Sequence, residues 1–465
     1  MNHYLWVGLE QVHASLQSVR RSSELLTTTI LVVTALHIPT SAETFDKCYK
    51  EFLSLISSSM FSRYHSIDDV RGLCIAAFWL SDVSWKLSGH AIRIATELGI
   101  HQSFHKALNG DREHFLRARL WYMLYVCDHH FSLGYGRPPM ISESLQIREL
   151  ELFRELPLTD GLDQRILSQV ELMSMLTRIH DRFLEQRIPP SGAALNEEDF
   201  VDMRNFNLEI DQWRMKWHPR QEPNHFIGTY PLKGIVMYSY FAKLQLNSLA
   251  VRGVSVSHGR LSAERKEFAN VAASAAASIL SFVLDEEEMR RALVGMPLYF
   301  HTMITFGAVF LMKVSAKWSS VVGMNVEPAY ALELLERVVA LFKSSIPSER
   351  HLLSHIAAGL EKMLAKSRAC TPGVPRMDDL NQDRLPAMML HSDSYGSMNY
   401  SQAQAMPPMT QGFDPSLTGQ WVSFNPTSEP DDLTDMTTMN EWIMDSFGSD
   451  SNNAVYSLLA SQFSY

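Results

Sequence analysis

Cysteine is scarce in this chain. The four cysteines among its 465 residues, Cys48, Cys74, Cys127 and Cys370, are scattered, with no Cys-x-x-Cys pair. A zinc site built from thiolates needs closely spaced ligands, so no metal or other cofactor is expected here. No secretory signal is recognisable at the start of the chain, and we therefore expect free thiols, mostly buried, in a reducing intracellular compartment.

The sequence also lacks an excess of basic residues and a long apolar run. Its 41 Lys and Arg residues are outnumbered by 51 acidic ones, and its Arg-Arg pairs, Arg20-Arg21 and Arg290-Arg291, are expected to be solvated helix ends. Direct DNA binding is therefore doubtful, because it needs clustered positive charge. Residues 29–36 and 296–311 fall short of the roughly 20 uninterrupted apolar residues that span a bilayer. We expect both to be buried core helices, with no membrane contact.

Recognisable catalytic motifs are missing as well. The sequence contains no His-Glu-x-x-His, no Gly-x-Ser-x-Gly, no phosphate-binding glycine loop and no dinucleotide fingerprint. Its histidines gather at His90, His101, His105, His114 and His129-His130, where we expect surface or capping roles rather than metal ligation. We predict no catalytic residue and no metal site, and we do not expect an enzyme.

What the sequence does contain is helical periodicity. Strand signals are nearly absent, so we predict an all-α fold, a multi-helical, solenoid-like packed bundle over residues 22–366. Ser66 followed by Asp69 predicts a capped helix start. Further helices are predicted at residues 163–187, 200–217, 230–251, 262–293, 297–317, 327–345 and 349–366.

Residues 1–21 carry apolar side chains at alternating spacings of four and three, from Leu5 to Val19. This pattern is typical of a coiled-coil seam, but it covers only two heptads. Two interpretations stay open: an ordinary first helix, or the remnant of a coiled coil that forms a homodimer or heterodimer.

The run from Trp85 to Ile141 is the most informative part of the chain. Leu87, Ala91 and Ile94 predict a helix that Gly99 ends, because the residue after a last turn often needs positive φ. Gly89 lies inside this helix, where we expect it to admit a crossing helix. Asp128, on the next helix, is predicted to act as a polar strut to the following loop, held by an arginine of its own helix or by Arg137. A ligand or partner contact is the alternative for Asp128 and Arg137.

This run resembles the fungal-specific transcription factor domain, the helical middle region of fungal zinc-cluster regulators. Five pieces match in order: Ser88-Gly89-His90-Ala91, Ala95 to His101 (with Leu98-Gly99), Arg119-Leu120-Trp121, Asp128, and Gly136-Arg137-Pro138-Pro139. Within the family, the chain most resembles the group that contains the leucine-biosynthesis regulator and the extracellular-protease activator of filamentous fungi. The resemblance implies a nuclear regulator of RNA polymerase II genes, whose middle domain sometimes binds a small-molecule effector.

One departure from the family stands out. Members of the family bind DNA through a zinc cluster with six closely spaced cysteines, and no residues here match it. Two interpretations stay open: Met1 is the true start and the protein acts through a dimer partner, or the gene model lacks upstream exons.

Residues 367–465 form a tail of different composition. From Thr371 onward the chain carries twelve acidic residues against two arginines, and residues 429–450 combine seven acids with large apolar side chains. Such alternation is typical of an activation segment that is disordered alone and docks as a helix on a coactivator or on the general transcription machinery. A featureless solvated tail is the alternative. The apolar residues of the segment include Leu433, Met436, Met439, Trp442, Ile443 and Phe447.

The sequence therefore predicts a nuclear transcriptional regulator with a helical regulatory body and an acidic activation tail. The alternative is a metabolite-binding or enzymatic helical protein with no transcriptional role.

Overall fold

A computed structural model describes residues 2–5, 8–135, 137–185, 195–251, 261–318 and 323–370. Within these ranges the secondary structure is helical, and the β-pairing found there is a single bridge between Asn224 and Gly228. The predicted all-α fold is confirmed. The tail beyond Cys370, with the predicted activation segment, lies outside the described residues.

The described ranges contain nineteen α-helices. They are α1 (Asn2–Leu5), α2 (Leu9–Val12), α3 (Leu16–Ser22), α4 (Glu24–Leu36), α5 (Ala42–Ser59), α6 (Ile67–Trp79), α7 (Ser84–Glu97), α8 (Phe104–Leu108), α9 (Arg112–Tyr135), α10 (Leu145–Arg148), α11 (Leu150–Arg154), α12 (Gly161–His180), α13 (Glu197–Trp217), α14 (Tyr230–Ser248), α15 (Ala263–Asp285), α16 (Glu287–Ala292), α17 (Leu298–Trp318), α18 (Pro328–Ser345) and α19 (Leu352–Cys370).

The later helices lie within a few residues of their predicted positions, and helix α6 starts as predicted. The Ser66 hydroxyl accepts a hydrogen bond from the Asp69 amide, and the Asp69 carboxylate accepts one from the Ser66 amide at 2.7 Å. The prediction of one helix over residues 262–293 was wrong. Glu286 adopts an extended backbone (φ −86°, ψ 115°), and it separates α15 from α16.

The first residues do not form the continuous helix that either interpretation of the heptad pattern required. They form three short helices, α1 to α3, and Gly8 has a left-handed backbone with φ of 69°. Leu5 and Val19 are buried, whereas Val12 and Leu16 are 40% and 53% exposed. The body of the protein therefore buries some of the apolar side chains that would have formed a coiled-coil seam.

Helices pack mainly on partners that are near in the chain, such as α4 on α5 and α6, or α14 on α15. Helix α9 contacts α6, α7, α8 and α12, and it is buried on all sides from Ala118 to Ser132. The buried apolar side chains form one core cluster that extends from Leu5 to Leu364.

Two described helices are long and apolar enough to cross a membrane by length and composition, Ala263–Asp285 and Leu298–Ala316. The apolar window of the second is 94% buried inside the molecule, and that of the first is 50% buried. Burial in the core accounts for the apolar character of residues 296–311, as the sequence predicted.

Candidate functional site

The first piece of the motif lies on helix α7. Ser88 and Ala91 are buried against the core, and the His90 ring lies edge-on to His65 with 6.0 Å between centroids. A Cβ at Gly89 would lie 3.2 Å from the Sδ of Met140, a side chain of the loop after α9, and would meet no other atom within 4 Å. The predicted helix crossing at Gly89 was therefore wrong, because a flexible loop side chain lies there instead.

Leu98 and Gly99 end helix α7 in the predicted way. Gly99 has a φ of 66°, in the left-handed region that glycine adopts easily. The Leu98 carbonyl accepts a hydrogen bond of 2.6 Å from the Arg117 guanidinium of α9. A carbonyl that the helix itself leaves unpaired is thus satisfied by the next long helix.

Arg119 joins helix α9 to helix α12. Its guanidinium donates to the carboxylate of Asp163 and to the side-chain oxygen of Gln11, and its side chain is only 2% exposed. Burial raises the pKa of Asp163 to about 6, although Arg119 acts in the opposite direction. We attribute the retained charge of Asp163 at neutral pH to this arginine.

Trp121 is buried and faces His101, with 5.7 Å between ring centroids. His129 and His130, on the same helix, are each 2% exposed, so the expectation of surface or capping roles was wrong for this pair. The fold surrounds this part of α9 on all sides, so a histidine here has no face that is open to solvent. Burial lowers the pKa of His129 to about 4 and that of His130 to about 3, so both rings are neutral at pH 7.

Asp128 is a strut between helix α9 and the loop that follows. Its Oδ2 atom accepts hydrogen bonds of 2.7 Å from the backbone amides of Met140 and Ile141. Burial raises the pKa of Asp128 to about 6, against the effect of these two donors. The predicted connection to the loop exists, but main-chain amides supply these bonds rather than an arginine side chain.

The remaining motif residues lie in that loop. The exposed Arg137 places its guanidinium over the ring of Trp85 on α7, 5.1 Å from the centroid, and its amide donates to the Ser132 carbonyl at 2.9 Å. Pro138 is exposed and Pro139 half-buried, while Gly136 lies outside the described residues. The motif as a whole therefore fastens α7, α9, the loop and α12 together.

A second cluster was missed by the sequence reasoning. It consists of Arg165, His130, Tyr230, Tyr238 and Tyr299, all buried, and we call it the Arg165 cluster. The Arg165 guanidinium lies 5.1 Å from the Tyr230 ring centroid, and the His130 ring stacks on Tyr299 at 3.8 Å and on Tyr238 at 6.0 Å. Arg165 precedes the apolar Leu172 by seven residues on one face of α12, a signal that could have marked it as interior.

The described histidines and carboxylates do not form a metal site. Within the described ranges, no group of three or more His, Cys, Asp or Glu side chains could hold a metal ion. The buried histidines contact aromatic rings and backbone carbonyls, as with the 2.9 Å contact between His129 Nδ1 and the Tyr125 carbonyl. What the arrangement offers is a packed helical framework with a buried, polar and aromatic interior.

Comparison with known proteins shows which family this helical chain resembles. A family model described as the middle domain of the transcriptional activator of proteases prtT matches residues 1–367. The "Transcriptional activator of proteases prtT" of Emericella nidulans is 48% identical over 385 residues, which cover 81% of this chain and 58% of that protein. The "Activatory protein CHA4" of Saccharomyces cerevisiae is 27% identical over 188 residues, 36% of this chain and 28% of that protein.

No solved structure matches the chain. The chain spans 58% of the length of the Emericella relative, so the two proteins are compared over part of that length only. Because the family model covers residues 1–367, well over half of the sequence, this chain belongs to the family of the middle domain of the transcriptional activator of proteases prtT.

Proposed function

We propose that this chain is a transcriptional activator that works in the nucleus. The observation that carries the proposal is the 48% identity over 385 residues with a protein named as a transcriptional activator of proteases. By the wording of that name, genes for proteases are the first targets to test. The second relative is also named as an activatory protein, which supports the same class.

We divide the work among three regions. Residues 22–366 form the regulatory body, to which the N-terminal segment 1–21 is attached. Residues 367–465 form the acidic tail, in which the segment 429–450 recruits coactivators or the general transcription machinery through Leu433, Met436, Met439, Trp442, Ile443 and Phe447. Its seven acids would steer it to basic surfaces, and its apolar residues would supply the buried contacts.

DNA recognition is assigned to a module outside residues 1–465, carried by the same polypeptide or by a dimer partner. Residues 1–370 contain 39 basic and 39 acidic residues, a balance that gives little attraction for phosphates. Binding of the purified chain to promoter DNA tests this assignment. Specific, tight binding by this chain alone would contradict it.

Recruitment by the tail is tested with the whole chain fused to a heterologous DNA-binding domain and a reporter gene. We expect activation that falls by about tenfold or more in the double variant Trp442→Ala, Phe447→Ala, because buried aromatic anchors often contribute about 2 kcal/mol each. The matched control is Trp421→Ala, Phe424→Ala, in the same tail but outside the segment. A silent reporter would favour the alternative, a metabolite-binding or enzymatic helical protein with no transcriptional role.

A further inference from the structure

Arg165 is a buried cation whose partners are neutral. Its Nη1 donates to the backbone carbonyl of His3 at 2.7 Å, and its Nη2 donates to the carbonyl of Tyr4. Among the described residues, no carboxylate oxygen lies within the 4.0 Å of an ion pair, and its electrostatic neighbours are tyrosines. Two other buried arginines differ, because Arg71 pairs with Asp68 and Arg119 with Asp163.

A guanidinium in this position is suited to an anion. Burial of an ionised group is costly unless it is paired, and burial lowers the pKa of Arg165 below that of a solvated arginine. Two parallel N–H groups match the two oxygens of a carboxylate, and such charge-assisted bonds are about twice as strong as bonds between two neutral groups. The two carbonyls of the N-terminal segment occupy the positions that carboxylate oxygens would take.

The Tyr4 side chain fills a slot next to Arg165. Its ring packs edge-on against Tyr230 at 4.8 Å between centroids, and its Cε2 lies 2.7 Å from the point where a Cβ at Gly295 would stand. The absence of a side chain at position 295 therefore creates the space for this ring. The Gly295 carbonyl is held in turn by the indole N–H of Trp79 at 3.3 Å.

The Arg165 cluster also contains unsatisfied polar groups. The hydroxyls of Tyr230 and Tyr299 and the Nδ1 atom of His130 are buried and have no hydrogen-bond partner within the described part of the chain. The Phe300 ring lies 5.6 Å from that of Tyr230 and 5.1 Å from that of Tyr238, and the Tyr238 ring in turn lies 6.2 Å from that of Tyr299 and 6.0 Å from that of His130. Buried polar atoms without partners are rare in native proteins and require an explanation such as a ligand or water.

We propose that Arg165 is the anion-binding residue of an effector site that Asn2–Leu5 occupies in this structure. The effector class is a small carboxylic acid with an apolar or aromatic group. Its carboxylate replaces the carbonyls of His3 and Tyr4, and its apolar group replaces the Tyr4 ring. The acid thereby releases the N-terminal segment from the body. This regulatory role rests on the proposed function, whereas the binding site itself does not.

The full chain is titrated with 3-phenylpropionate, and the neutral 3-phenylpropanamide is the matched compound. Calorimetry should detect binding of the acid and at least tenfold weaker binding of the amide, and hydrogen exchange at Asn2–Leu5 should increase with the acid. Equal binding of the two compounds, or no binding of either at millimolar concentration, would overturn the proposal. Preferential binding of inorganic phosphate would overturn the carboxylate assignment.

Two variants locate the site. Arg165→Gln should weaken binding of 3-phenylpropionate by about tenfold or more, through loss of the charge-assisted pair. Tyr4→Ala empties the slot and leaves the guanidinium unchanged, so it should strengthen binding several-fold, because the segment then competes through its two carbonyls but no longer through the ring. The Tyr4→Ala titration tests the site even if the Arg165→Gln protein does not fold.

Tyr64→Ala, at a side chain that is 89% exposed, is the control and should leave binding unchanged. An unchanged affinity in Tyr4→Ala, or full affinity in a folded Arg165→Gln protein, would refute the site. These measurements contain no transcriptional readout, so a failure of the proposed function and a failure of this site are distinguishable.

Discussion

Arg119 on α9 and Asp163 on α12 form an ion pair inside the protein, with side chains that are 2% and 1% exposed. Asp163 also accepts the Asp160 amide at 2.9 Å, in a capping box at the start of α12. One carboxylate thus both caps the start of α12 and holds α12 against α9. Removal of its cationic partner should therefore weaken both the start of α12 and its packing on α9.

We predict that Arg119→Met destabilises the protein by about 3–5 kcal/mol, because it leaves a buried carboxylate without its cation. Urea unfolding monitored by circular dichroism measures the loss. The control is Arg178→Met on α12, where the partner Glu209 is 37% exposed, and it should cost less than about 1 kcal/mol. Similar effects of the two substitutions would contradict the structural role given to Arg119.

Asp128 should tolerate loss of its charge better than loss of its acceptor. Asp128→Ala leaves the amides of Met140 and Ile141 without their acceptor, at about 1–3 kcal/mol for each buried amide that water cannot reach. Asp128→Asn keeps an acceptor oxygen and removes a carboxylate whose pKa burial has raised to about 6. At pH 7 the melting temperature of Asp128→Asn should be well above that of Asp128→Ala, and the reverse order would contradict the role of Asp128 as a strut.

Two glycines provide a matched pair of substitutions. A Cβ at Gly72 on α6 would lie 3.0 Å from the Cα of Leu26 on α4, so two backbones would have to separate. Gly72→Ala should destabilise the protein by about 1–3 kcal/mol or more, as overpacked sites do. Gly89→Ala meets only the Met140 sulfur, and it gains up to about 1 kcal/mol of helix propensity, so its effect should be near zero or favourable. Equal unfolding midpoints for the two variants would refute this assignment of the helix crossing.

Buried histidines should make stability depend on pH. The His351 ring lies 5.2 Å from that of His37 and 5.8 Å from that of His301, and burial lowers the pKa of His301 to about 4 and that of His351 to about 2. The unfolded chain, in which the pKa is about 6.5, binds more protons than the folded chain below that pH. The contribution of these histidines to the free energy of unfolding is therefore fully present at pH 7. It falls as the pH drops, by roughly 2 kcal/mol per histidine at pH 5.

The variant His301→Gln separates this effect from other titrations. The amide of glutamine can replace the ring nitrogen Nε2, which contacts the Leu293 carbonyl at 2.7 Å, but it does not titrate. We expect a smaller loss of stability between pH 7 and pH 5 than in the parent protein. Asp128 and Asp163 contribute with the opposite sign, but equally in both proteins. The exposed His105→Gln is the control, and an identical pH profile for all three proteins would contradict the prediction.

Local signals predicted local structure well. Ser66 with Asp69 identified the start of α6, and Gly99 identified the end of α7, because a cap and a left-handed turn involve residues that are neighbours in the chain. The heptad pattern over residues 1–21 failed for the opposite reason. Such a pattern shows which side chains avoid water, but not whether a second helix or the body of the same chain covers them.

The amino-acid sequence by itself determined the helical class, the order of the helices, the family motif and the acidic character of the tail. Each of these depends on periodicity, composition or short spacings, and none requires knowledge of distant contacts. The tertiary structure alone decided that Asp128 holds two backbone amides, that Gly72 rather than Gly89 admits a crossing helix, and that Arg165 lies buried beside Tyr4. These relationships join residues that are far apart in the chain or on different elements, and their energies depend on packing and desolvation, which exist only once the chain has folded.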